Sequence, residues 1–213
     1  MYHSLVDARI EGLVSPIVRF ASSSFREQIG FLSRKRRVVS VSEMIACRSG
    51  HCSLANRSTA LTFDDGYLDT LRVAAPILAE AGLPATVYLP TWYIDHARSQ
   101  WVDELWWMFN ARTNDRIETE SGVWVLDGKR SIEKARRELS RLLLEGLLEH
   151  RNRLLEQVRV SLKPAGTPPR LTMNWDEVRE LVRDFPNIEL GGHTVRHIDL
   201  RTWRGEVAEA EIK

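Results

Sequence analysis

The sequence predicts an α/β fold built on a parallel sheet. Three observations carry that expectation. A strand–helix–strand unit lies between residues 60 and 90, a third strand lies over 187–190, and a cluster of chemically active residues follows a buried strand at two separate places. Strand, helix, strand with short joints marks a parallel pair, and its crossover is right-handed. The chain of 213 residues suffices for one domain, or for one domain carrying an insertion.

The elements follow in order. Residues 22–34 put Phe25, Ile29 and Leu32 on one helical face. The basic run Arg34, Lys35, Arg36 and Arg37 ends that helix, suits its negative end and reads as solvated surface. A short strand over 38–41 and a helical stretch over 42–46 come next. Ala60, Leu61, Thr62 and Phe63 form a buried strand stopped by Asp64, Asp65 and Gly66. A helix over 71–81 ends at Gly82, with Pro76 placed in its first turn, where a missing N–H costs nothing. Residues 84–90 form the second strand, bordered by prolines. From 95 to 170 the pattern changes to a helical insertion. It holds an aromatic-rich run over 101–109, a small strand over 122–128, a helical stretch over 132–160 and a proline-rich loop over 163–169. The leucines from Leu139 to Leu155 read as a helix–helix seam. Residues 175–182 form a helix capped by Asn174, and the third strand leads through Gly191 and Gly192 to His193.

Composition narrows the function. Thirty basic and 29 acidic residues leave a net charge of +1, so no broad basic field points to nucleic acid. No apolar run approaches the roughly 20 residues of a membrane span. Cys47 and Cys52 are too few for a disulfide framework and read as reduced thiols, with a pair as the alternative. No signal peptide is visible at the start. A cytoplasmic protein is expected if Met1 is the true start, and an extracytoplasmic one if the N-terminus is clipped.

The chemistry concentrates in Thr-Phe-Asp-Asp-Gly-Tyr at 62–67 and His-Thr-Val-Arg-His at 193–197. Both follow strands, at the ends where ligand sites of α/β sheets and barrels lie. In a helical segment His193 and His197 would stand one turn apart and reach one cation. Two neutral imidazoles and one carboxylate suit a divalent transition metal with open positions. Adjacent Asp64 and Asp65 point different ways, so one can bind a metal while the other faces water.

On these residues the sequence resembles the polysaccharide deacetylases with a NodB homology domain, carbohydrate esterase family four. T-F-D-D-G is matched by residues 62–66, and H-[ST]-x-x-H by His193, Thr194 and His197. The spacer is similar too: A-G-L-P-A-T at 81–86, W-x-D-E-L at 101–105, L-T-x-x-W-x-E-V-R-E-L at 171–181, Glu189 before the glycine pair, and Tyr2-His3 near the start. The resemblance implies a distorted (β/α) barrel over 1–213, with 95–170 as its insertion. It implies a metal-dependent hydrolase that removes acetyl groups from an acetylated glycan. Asp65, His193 and His197 would bind the metal, which is Zn, Co or Ni by donor type, and Asp64 would be the general base. Tyr67, His3 and Trp92 are the candidates for substrate contact. The family continues past its second motif with arginine, aromatic and acid-histidine motifs, whereas this chain stops at Lys213. The expectation is therefore an incomplete barrel without its general acid, either a fragment of a longer protein or a chain whose remaining half comes from elsewhere. The competing reading is a non-catalytic carbohydrate- or metal-binding half barrel.

Overall fold

The computed structural model describes residues 1–7, 12–51, 53–201 and 204–212. They form two compact units. The first comprises Met1–Gly12, Pro16–Arg98 and Leu171–Lys213, and the second comprises Leu13–Ser15 and Ser99–Arg170.

In the first unit β1 (Ser4–Val6) runs parallel to β2 (Arg19–Ala21). Helix α1 (Ser22–Lys35) buries Phe25 and Ile29 and ends on Arg34 and Lys35, as the apolar spacing and the basic run require. β3 (Arg37–Val38) precedes α2 (Val41–Arg48), whose first turn is capped by the Ser40 hydroxyl accepting from the Glu43 N–H at 3.0 Å. Cys47 on α2 is disulfide-bonded, which corrects the reading of reduced thiols; Cys52 lies outside the described residues. β4 (Ser58–Thr59) pairs with β3, and β5 (Thr62–Phe63) follows.

The helix after β5 departs from expectation. Residues 68–80 are helical, so Pro76 sits well inside rather than in the first turn. The chain absorbs it with a π-turn over Thr70–Ala74, closed by Ala75 N–H donating to the Thr70 carbonyl, before α3 (Ala75–Glu80) resumes. The wider turn accommodates the missing proline N–H and the bulk of its ring. β6 (Ala85–Leu89) and α4 (Thr91–Asp95) complete this stretch.

The second unit folds α5 (Trp101–Asn110), the antiparallel hairpin β7 (Arg116–Thr119) and β8 (Gly122–Val125), α6 (Lys129–Glu145) and α7 (Leu148–Leu162) around their own apolar cluster. The single helical stretch expected over 132–160 is broken at Gly146. A Cβ there would meet the Leu142 carbonyl at 2.9 Å and the His150 ring at 2.6 Å. Buried Asp103 accepts from the Ser15 N–H at 2.8 Å, tying the short early segment into this unit.

Back in the first unit, α8 (Trp175–Asp184) starts with a reciprocal cap in which Asn174 and Glu177 each accept the other's backbone N–H. β9 (Ile188–Gly192) then pairs parallel with β6, and α9 (Glu206–Ile212) follows. The strand order β5–β6–β9 is parallel throughout, and a bridge from Tyr2 to Phe63 joins the β1 segment to β5. Among the described residues no pairing links β2 to β9, and the core lies between the sheet and helices α1, α3 and α8.

Candidate metal and active site

Sheet register brings the two motifs to one level. Phe63 pairs with Val87, and Val87 with Leu190. Two residues further on, Leu89 and Gly192 end β6 and β9 while Asp65 lies in the turn after β5, and the His193 N–H donates to the Leu89 carbonyl at 3.0 Å. β5 and β9 flank β6, so their backbones are roughly 10 Å apart. Side chains must reach across β6 to meet.

Local backbone geometry makes them do so. Asp65 (φ 70°), Thr194 (φ 60°) and His197 (φ 53°) lie in the left-handed region, three of the six such non-glycine residues among those described. For a β-branched threonine that is an outlier, and such strain gathers at functional sites. The 193–197 segment is an irregular loop, not the helical turn expected, and it brings the histidines together by curling back on itself. One ligand atom from each of Asp65, His193 and His197 lies within 4.8 Å of the other two. Asp65 Oδ1 is 3.6 Å from His193 Nε2 and 3.3 Å from His197 Nε2.

Asp65 is 3% exposed, and its Oδ1 has no hydrogen-bond partner among the described residues. Burial pushes its carboxyl up to about 6; His3 and His193 pull it down, and the Asp64 charge pushes it further up. Burial also lowers the pKa of His193, helped by His197 and opposed by Asp65 and Asp64. A neutral imidazole is the metal-binding form. A buried, orphaned carboxylate oxygen facing two imidazole nitrogens fits a divalent transition cation, whose charge would offset the cost of burying the carboxylate.

Other candidates fall around this triad. Asp64 is buried, its N–H donates to the Tyr2 carbonyl at 2.9 Å, and its charge acts on both Asp65 and His193. Half-buried His3 acts electrostatically on the same two residues. Asp69, at the start of the helix after the first motif, holds the neighbouring strand through the Ser4 hydroxyl and the Leu5 N–H. Trp92 stacks on His96 with ring centroids 4.3 Å apart, and its backbone N–H donates to the Val195 carbonyl at 2.8 Å. Tyr67 is corrected: it is 0% exposed and offers no ring face to a sugar. It bridges to Thr172, while Gly66 accepts from the Met173 N–H, so the segment before α8 seals the turn after the aspartates.

Tyr88 was missed by sequence reasoning. It pairs with Gly191, and its ring lies where a Gly191 Cβ would stand, at 2.6 Å. From there it sits 6.2 Å from the His193 ring. A tyrosine in a strand opposite a glycine is visible as a signal only once the pairing is known.

The fold is of the α/β class, and its parallel strands present at one end a carboxylate and two imidazoles that could hold a metal ion. The family model described as polysaccharide deacetylase matches residues 53–213, and the chain belongs to that family. Among curated protein sequences nothing matches the chain. Solved structures similar to it include the following three. A deacetylase from Streptococcus pyogenes, PplD in complex with acetate, is 17% identical with a TM-score of 0.55, covering 100% of this chain and 62% of its own. IcaB from Ammonifex degensii is 15% identical with a TM-score of 0.50, covering 97% of this chain and 55% of its own. A de-N-acetylase from Aggregatibacter actinomycetemcomitans is 18% identical with a TM-score of 0.47, covering 91% of this chain and 53% of its own. The first two support the fold. The chain spans between 53% and 62% of these three structures' chains.

Proposed function

We propose that the protein removes acetyl groups from an acetylated glycan, with Asp65, His193 and His197 holding a divalent cation, Zn by preference and Co or Ni by donor type. The observation that carries this reading is the approach of those three ligand atoms to within 4.8 Å around a buried, orphaned Asp65 oxygen. Membership of the polysaccharide deacetylase family supports the reaction class. The similar PplD structure, described as a deacetylase in complex with acetate, makes acetate release the first reaction to test.

A cation bound there supplies a Lewis acid and brings the pKa of a water toward neutrality. The rest falls to the chain. Asp64 accepts a proton from the water whose oxygen bonds to the acetamide carbonyl carbon; the C–N bond then breaks, acetate is released, and the sugar nitrogen leaves as an amine carrying the proton that Asp64 returns. The neutral state of His193 keeps its nitrogen available as a donor. His3, whose charge acts on Asp65 and His193, orients the sugar beside them. We read β2, β1, β5, β6 and β9 as part of a distorted (β/α) barrel, and residues 95–170 as an insertion in it.

The test is acetate release from N-acetylglucosamine oligomers by Zn²⁺-loaded protein, before and after chelation. Release that stops with the chelator and returns with Zn²⁺ is expected. A folded, metal-loaded protein that releases no acetate from either N-acetyl or O-acetyl glycans refutes the reading.

A further inference from the structure

The loop that carries both histidines is unusual in what holds it. Its backbone takes left-handed φ at Thr194 and His197. Such residues persist only where the surroundings over-determine them. On one side the anchor is the first turn of α4: the Thr91 N–H donates to the Thr194 carbonyl at 3.4 Å, and the Trp92 N–H to the Val195 carbonyl at 2.8 Å. On the other side the anchor is one residue of α9. Glu211 is 2% exposed although it sits on a helix of seven residues. Its carboxylate accepts from the Arg196 backbone N–H at 2.7 Å and from the Arg196 guanidinium at 3.2 Å. Its own carbonyl accepts from the Val195 N–H at 3.0 Å.

From this arrangement we infer that Glu211 is a positioning residue for the metal site: it clamps the loop from Val195 to Arg196 and thereby sets where His197 points. A carboxylate buried this deeply costs free energy unless its lone pairs are satisfied, and the Arg196 N–H and guanidinium that satisfy them both belong to that loop. The bond to a backbone N–H matters most, because it fixes the chain between two ligands and not merely a flexible side chain. Glu211 touches neither metal nor substrate. It acts through the peptide that leads into His197, as outer partners of metal ligands do. The inference rests on the proposed metal reading, and the experiment separates the two.

Zn²⁺ affinity is measured by calorimetry, and the ligand field of Co²⁺ by its visible absorption, for wild type, Glu211→Ala, Glu211→Gln and Arg196→Met. Glu211→Ala should weaken Zn²⁺ binding by about 10–100-fold and change the Co²⁺ spectrum, because His197 loses its fixed direction. Glu211→Gln keeps an oxygen for the Arg196 N–H and should recover most of that loss. Arg196→Met keeps the backbone bond and should cost less than about threefold. If Glu211→Ala does not fold, as judged by circular dichroism, Glu211→Met, which keeps the bulk of the side chain and deletes both acceptor oxygens, carries the test and should show the same loss. Wild-type affinity and an unchanged Co²⁺ spectrum in Glu211→Ala, or in Glu211→Met where Ala fails, overturn the clamp and leave the metal reading standing. A wild-type protein that binds neither ion overturns the metal reading and the clamp with it.

Discussion

The aspartate arm of the site is built by packing, whereas the histidine arm is built by hydrogen bonds. Asp64 and Asp65 follow Phe63, which is fully buried between the rings of Tyr2 at 5.4 Å and Phe25 at 5.7 Å. Gly66 sits so close beneath Leu89 and Ile94 that a Cβ would lie 2.9 and 3.0 Å from them. His193 and His197 instead stand on a loop about one third exposed, fastened through Thr91, Trp92 and Glu211. Packed interiors yield little to small perturbations, while a polar anchorage gives way bond by bond. The carboxylate is thus held by the packed core, and the imidazoles by the polar contacts of their loop.

The largest expected effect separates chemistry from both arms. Asp64→Asn preserves shape and leaves the three ligand donors in place, but an amide cannot accept the attacking water's proton. Turnover should fall by about 10²–10⁴-fold with Zn²⁺ affinity unchanged. Undiminished turnover in a metal-loaded Asp64→Asn protein would remove Asp64 from the mechanism.

The next comparison sets one ligand of each arm against the other. Asp65→Asn and His197→Ala each delete a donor, and each should lower Zn²⁺ affinity by at least about 100-fold. Their effects on metal-free stability should differ. Burying the Asp65 carboxylate raises its pKa to about 6, so its charge opposes folding at neutral pH in the absence of metal. Asp65→Asn should therefore raise the melting temperature in chelator, by a gain on the order of 1–3 kcal/mol. His197→Ala, on the polar arm, should stay within about 0.5 kcal/mol of wild type. Destabilisation by Asp65→Asn under those conditions would contradict the picture of a buried charge waiting for a cation.

Backbone variants test packing directly. Gly66→Ala places a Cβ against Leu89 and Ile94 at φ +61°, so strain and overpacking should cost about 2–4 kcal/mol. At Gly191 the obstacle is the half-buried Tyr88 ring, which can swing away. Gly191→Ala should therefore cost about 1 kcal/mol and show itself mainly in the environment of His193. Chemical denaturation of the two variants, with imidazole NMR for the second, checks both. Equal costs would erase the distinction between the arms.

These contrasts also explain which parts of the molecule were legible in the sequence. Asp65, His193 and His197 stood out because few residue types bind metals and because each motif followed an expected strand, although of β9 only Ile188 is buried. Asn174 and Glu177 were readable as a helix start because a cap is a local interaction between residues three apart. Pro76 misled: the π-turn that accommodates it depends on packing that no local rule contains. The histidine loop misled as well, since a spacing of four suggests a helix and only tertiary bonds sustain its left-handed residues. Tyr88 and Glu211 stayed hidden because each acts through a partner, Gly191 or Arg196, whose proximity is a product of the fold.

The smallest expected effect concerns the base of the histidine arm and has a pH dependence opposite to that of Asp65. Glu189 on β9 accepts from the Ser42 N–H at 3.3 Å, the Ser42 hydroxyl at 3.1 Å and the Thr86 hydroxyl at 3.4 Å. Burial pushes its carboxyl up, but hydrogen bonds from Ser40, Ser42 and Thr86 outweigh that and hold it below the ordinary range. A depressed pKa contributes stability that is fully present above the unfolded value of roughly 4.3 and is lost as pH falls through the folded value. Glu189→Gln keeps one acceptor oxygen and loses the charge that strengthens these bonds. It should cost less than about 1 kcal/mol at pH 7, and the gap from wild type should close as the pH falls below about 4. Asp65→Asn in chelator should behave the other way, with a gap that opens as the pH rises from about 4 to about 6 and then levels off. Melting curves of both variants and wild type across pH 3–8 read the two signs in one experiment. A Glu189→Gln gap that does not vary with pH would mean that its hydrogen bonds, and not its charge, tie β9 to α2.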